Sequence, residues 1–171
     1  MKINCDKNPK IPYDGWTIES HKKMGKIEWN PDNIELYLSD KQKTGHISGN
    51  ELRKELENKP VLNACVLDYL LKHQDLIPDS WKGKNVYFWG TIFRSAHGNL
   101  CVRYLYWDDG RWNWHCHWLD NDWDAYEPAA LLASNSSGTK TLGSDLTLGN
   151  LALRVCELEA KMGKIEQIIK I

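Results

Sequence analysis

No stretch of the chain approaches the roughly 18 uninterrupted apolar residues of a membrane-crossing helix, so no span is expected. Residues 1–8 hold no apolar run, and no secretory leader is expected at this start. The cysteines are Cys5, Cys65, Cys101, Cys116 and Cys156, an odd and scattered set without a CxxC pair. That excludes a disulfide framework and points to a reducing, cytoplasmic compartment. An excess of either charge is also missing, with 22 Lys+Arg against 23 Asp+Glu. Net charge therefore supplies no attraction to nucleic acid or anionic lipid. No P-loop, GxSxG, HExxH or GxGxxG is present, so no catalytic residue is singled out.

What is there fits one domain with an appendage in 171 residues. Residues 1–13, polar and holding Pro9 and Pro12, read as a frayed arm. Residues 14–133 read as the globular domain. Strand patterns at residues 16–20 and 26–29, around a turn at Gly25, suggest an N-terminal hairpin. A further strand follows at residues 34–38, with a short return through Ile47. Ser48 and Glu51 have capping-box spacing and predict a helix over 49–57; Pro60 then suits the first position of a second helix ending near His73. Residues 86–94, 100–107 and 111–118 read as three strands of an antiparallel meander, the last two joined by Asp108, Asp109 and Gly110. The expected fold class is α+β: an antiparallel sheet, the meander plus the N-terminal hairpin strands, packed on a two-helix unit and followed by a C-terminal coiled-coil helix.

Residues 134–145, rich in Ser, Gly, Thr and Asn, read as a flexible linker. Beyond it Leu148, Leu151, Val155, Leu158, Met162, Ile165 and Ile169 are spaced alternately three and four apart, an a/d seam over residues 146–171. Arg154 and Lys161 fall at g, Glu159 and Glu166 at the following e. A homo-oligomer, parallel dimer or trimer, is expected through this seam. A short amphipathic helix docked on its own domain is the alternative.

Nine tryptophans are present, five of them between Trp107 and Trp123. Over residues 111–118 the parities separate: Trp112, Trp114, Cys116 and Trp118 fall on one face, Arg111, Asn113, His115 and His117 on the other. If a three-residue turn pairs Trp107 with Arg111, then Arg103 faces His115 and Cys101 faces His117. One polar face would then gather a candidate ligand-binding set of Arg103, Asn113, His115, His117 and neighbouring Trp107, suited to a phosphate or carboxylate with a stacked ring. A zinc site from Cys101, His115 and His117 is the second reading, and tryptophans that simply fill a thin core the third. A register slip of one residue dissolves the set. Asp68, inside an apolar helix, reads as a cap or as half of a buried pair. Asp120, Asp122 and Asp124 lack EF-hand spacing and read as a solvated turn.

Leu62, Asn63 and Ala64, residues 66–71, Leu76, Ile77, Pro78, Trp81 and Lys82 form one block. Residues 88–92, Arg94, Val102, Arg103, Leu105, Tyr106, Trp107 and residues 128–130 form another. Across residues 34–132 these blocks resemble an uncharacterised family of bacterial hypothetical proteins of the candidate-phyla type. The resemblance implies a bacterial, cytoplasmic protein and assigns no activity or site. The expected function is a non-enzymatic oligomeric binding or scaffold module. The alternatives are a small metal-dependent or nucleotide-processing enzyme using His115 and His117, or a nucleic-acid-binding module.

Overall fold

The computed structural model describes residues 2–133. The linker and the heptad seam from Leu148 to Ile169 lie outside the described residues. In chain order the elements are β1 (Lys2–Asn4), β2 (Thr17–His21), β3 (Lys26–Glu28), β4 (Ile34–Tyr37), α1 (Asp40–Thr44), β5 (Ile47–Ser48), α2 (Gly49–Leu56) and α3 (Ala64–Lys72). They continue as β6 (Val86–Tyr87), β7 (Thr91–Arg94), β8 (Leu100–Asp108), β9 (Arg111–Trp118), β10 (Asp122–Trp123) and β11 (Ala129–Leu132). Among the described residues the fold is thus mostly β with few helices, which corrects the expected α+β layering of a meander on a helix pair. The main sheet has seven strands in the order β2-β7-β8-β6-β11-β4, with β9 on the other edge of β8. It is mixed, because β11 runs parallel to β6.

Two local causes reshape the expected elements. The N-terminal strands do not pair with each other: β2 joins β7, and β3 pairs with β1 from the presumed arm. Ile3, Cys5 and Pro9 are buried, so apolar contact holds a segment that polarity suggested would fray. The strand expected over 86–94 is broken at residues 88–90. Phe88 still donates to Arg103 of β8, whereas the Gly90 amide turns to Leu62 and its carbonyl accepts from Lys22. A Cβ at Gly90 would sit 2.9 Å from the Asn63 Cα and backbone nitrogen, so only glycine admits this approach. The sheet forks there, sending β7 towards β2 and β6 towards β11 and β4.

The helices also differ from expectation in instructive ways. Ser39 and Gln42 form a full capping box and start α1 ahead of the expected return, and the strand at Ile47–Ser48 pairs with β10 rather than with β4. Ser48 caps α2 as its spacing predicts, accepting from the Glu51 amide at 3.3 Å. Pro60 does not open α3. Residues before it stay extended, with Val61 bridging to Leu131, and Asn63 supplies the cap by accepting from the Cys65 amide. Val66, Leu67 and Leu70 of α3 pack with Val86, Phe88, Leu105 and Trp112 in one core. Leu52 and Leu56 of α2 pack with Tyr87, Trp89, Val102 and Trp123 in a second. Residues 102 and 105 of β8 thus enter different cores, as period-two alternation requires.

On its outer edge β9 carries its own strand mimic. The Trp112 amide donates to Gln74 Oε1 at 2.9 Å, and Gln74 Nε2 donates to the Trp112 carbonyl at 3.0 Å. One side-chain amide thus satisfies both edge groups of a residue that is 3% exposed. Replacing Gln74 with alanine leaves that peptide unpaired and is expected to cost about 1–3 kcal/mol. Urea denaturation reads this directly; an unchanged midpoint would show that water replaces the carboxamide at no loss.

Candidate functional site

The hairpin between β8 and β9 decides which side chains meet. Asp109 and Gly110 take φ values of 48° and 73°, the two positive values of a two-residue primed turn. Asp108 therefore pairs with Arg111 and Trp107 with Trp112, one residue away from the three-residue alternative. Because side chains alternate, this slip places Arg103 opposite Cys116, while His115 faces Tyr104 and His117 faces Val102.

The expected polar set is divided accordingly. Arg103 and Cys101 share a face with Trp112, Trp114, Cys116 and Trp118; Asn113, His115 and His117 lie on the reverse. Asn113 Nδ2 donates to the Asp108 and Arg111 carbonyls at 3.2 Å and so trims the turn. His115 is exposed, and its Nδ1 accepts from the Cys116 amide. His117 packs 4.8 Å from the Trp123 ring, with Nε2 3.8 Å from Glu127 Oε1. Trp107 is covered by the Lys82 ammonium, 4.0 Å from the ring centroid. Cys101 does not meet His115 and His117, and among the described residues no group of three or more His, Cys, Asp or Glu is placed to hold a metal ion. Of the acidic run, Asp120 accepts from Asn50, and Asp124 accepts from the Tyr126 amide.

Arg103 stands instead in a different constellation. Its side chain is 2% exposed and its Nη1 donates to Asp68 Oδ1 at 2.8 Å. Asp68 projects from the polar flank of α3, where Ala64, Cys65, Val66, Leu67 and Leu70 are buried around it. Its second oxygen, Oδ2, accepts from the Lys10 amide at 2.9 Å. Arg103 Nη1 also reaches the Lys10 carbonyl at 3.5 Å, and Cys65 Sγ donates to the Lys7 carbonyl at 3.1 Å. The guanidinium lies over Trp114, Cζ to ring centroid 4.2 Å. Residues 7–10 are thus strapped across α3 and β8 and belong to the site.

These groups line a pocket of about 600 Å³. Lys2, Lys7, Lys10, Lys72 and Arg103 face it against Asp68 alone, with Tyr69, Leu71 and Trp114 as apolar wall. Both bonds of the guanidinium are made through Nη1, and Nε, though buried, has no hydrogen-bond partner among the described residues. A buried donor left unpaired costs about 1–3 kcal/mol, so the Nε and Nη2 edge is prepared for an acceptor that none of the described residues supplies.

The thiols nearby are tuned by burial. Desolvation pushes Cys65 up to about 11, Asp68 adding to it and Lys7 opposing. Cys5, behind it, is pushed to about 12 by burial and by Cys65. Beside Arg103, donation from the Cys101 thiol holds Cys116 below the usual thiol value, Arg103 assisting against burial, and Cys101 is raised in turn.

The sequence reading named Arg103, but in a set with Asn113, His115 and His117 that the register divides, and it read Asp68 as a cap or as half of a buried pair. It missed Lys7 and Lys10, because a polar arm gives no period by which to dock it. Of the tryptophan cluster, Trp112 and Trp123 are core, while Trp107, Trp114 and Trp118 remain part-exposed. No family model, curated protein or solved structure matches the chain.

Proposed function

We propose that the chain is a non-enzymatic binding module for a small organic anion, whose carboxylate or phosphate is gripped by the Nε and Nη2 edge of Arg103. The observation that carries this reading is the unpartnered Nε of a buried guanidinium that lines a lysine-rimmed pocket. Asp68 fixes the plane of the fork through Nη1, Trp114 covers one of its faces, and the free edge matches the two oxygens of an oxyanion. Lys7 and Lys10 on the strap add attraction that bulk salt weakens. The volume suits a ligand of ordinary metabolite size.

Calorimetric titration of the full chain with phenyl phosphate and benzoate tests the reading. Benzoate is expected to bind one-to-one, and both anions to bind this pocket more weakly at higher ionic strength. Arg103→Lys keeps a charge opposite Asp68 but removes the fork, and should weaken binding by about tenfold or more, the worth of a charge-assisted hydrogen bond. Equal affinity in Arg103→Lys, or no heat with either anion, overturns the proposal.

A further inference from the structure

Among the described residues a second cavity, of about 730 Å³, lies on the α2 side of the sheet and is lined by none of the residues that line the first. Its apolar wall is Leu56, Val61, Trp89 and Ile92, all members of the second core. Its cationic wall is Lys22, Arg53 and Lys54, opposed by Glu57. Lys22 is anchored, its ammonium donating to the Lys59 carbonyl at 2.6 Å and to the Glu57 carbonyl at 3.3 Å beyond the end of α2. Trp89 is 5% exposed, yet its indole Nε1 has no acceptor among the described residues. Its backbone is held by the neighbouring Gly90, bonded on one side to Leu62 and on the other to Lys22. The ring is braced by Trp123 at 4.7 Å. A fixed indole with an unused donor therefore borders the same cavity as Arg53 and Lys54.

We infer that this cavity is a second ligand site, for a phosphate monoester carried on an apolar or aromatic body. The phosphate is held by Arg53, Lys54 and the remaining proton of Lys22, an arrangement that favours a dianion over a monocarboxylate. The body lies along Leu56, Val61 and Ile92, and the indole N–H of Trp89 gains an acceptor. This inference does not rest on the Arg103 pocket and survives its failure.

The indole N–H resonances of the ¹⁵N-labelled full chain report on it, with the Trp89 signal assigned by its loss in Trp89→Phe. Phenyl phosphate should move that signal saturably, with half-saturation in the millimolar range or below. In the double variant Arg53→Ala, Lys54→Ala the half-saturation point should rise at least tenfold, whereas in Arg103→Lys the Trp89 response should be unchanged. A Trp89 signal that stays still, or that moves equally in the Arg53, Lys54 variant, overturns the site. Inorganic phosphate acting as strongly as phenyl phosphate overturns the apolar body.

Discussion

Asp68→Asn is expected to lower stability by about 3 kcal/mol and, at the same time, to tighten anion binding. The stability loss follows from burial. With 2% of its side chain exposed, Arg103 cannot recover its hydration when its counter-charge is removed. Breaking one partner of such a pair costs about 3–5 kcal/mol, and the lower end applies because Asp68 itself is 22% exposed. Asparagine retains the size and one acceptor oxygen, so packing on α3 is not the variable. The gain in affinity follows from the same charge. Asp68 is the one carboxylate facing five cations in the pocket, and neutralising it leaves the guanidinium to be matched by the ligand alone. Urea denaturation with and without phenyl phosphate separates the two effects, since a ligand that binds only the folded chain restores stability in proportion to its concentration over Kd. A variant as stable as the parent would mean that Arg103 is reached by water. A variant that binds no more tightly would mean that the anion does not sit on Arg103.

How far this site could be read from the sequence depended on one turn. The alternation of residues 111–118 is visible without a structure, and the end points of β9 coincide with it. What alternation cannot fix is the partner of each residue. Asp108, Asp109 and Gly110 allow a two-residue or a three-residue loop, and the positive φ at both Asp109 and Gly110 selects the former. A shift of one residue then moves His115 and His117 to the face away from Arg103. The Asp-Gly pair was the available signal. The fork at Gly90 was harder to see, because residues 86–94 read as one apolar run and the reason for the break, Asn63 pressed on Gly90, is distant in sequence. Pairing of β11 with β4 and β6 is likewise non-local, and a four-residue strand carries too few alternations to announce its neighbours. Helix α3 shows the opposite balance: its apolar spacing and its end at His73 were legible, while its start moved from Pro60 to the better cap, Asn63.

The buried thiols and phenols give the chain a predictable alkaline limit. Burial pushes Cys5 up to about 12 and Cys65 up to about 11 in the folded chain, from the ordinary thiol value of 9.0. Tyr37 is raised to about 12 by burial and by its hydrogen bond to Glu55, and burial raises Tyr87 and Tyr104 in the same direction. Each group binds its proton more tightly folded than unfolded. Its contribution is therefore complete below its unfolded value, near 9 for the thiols, and is lost as pH rises through the folded value. Cys116, lowered instead, works the other way, while its hydrogen-bond partner Cys101 is raised and adds to the loss. At about 1.4 kcal/mol per pH unit for each fully displaced proton, the loss between neutral pH and about pH 11 reaches a few kcal/mol, a large part of an ordinary domain's stability. Thermal melts followed by circular dichroism should hold a plateau up to about pH 9 and then fall steeply. The slope should be shallower in Cys65→Ala, which deletes one of the titrating groups while truncating a side chain only 9% exposed. Melting temperatures that stay level to about pH 11, or an alkaline slope identical in Cys65→Ala, would show that these thiols are no less ionisable in the folded chain than in the unfolded one.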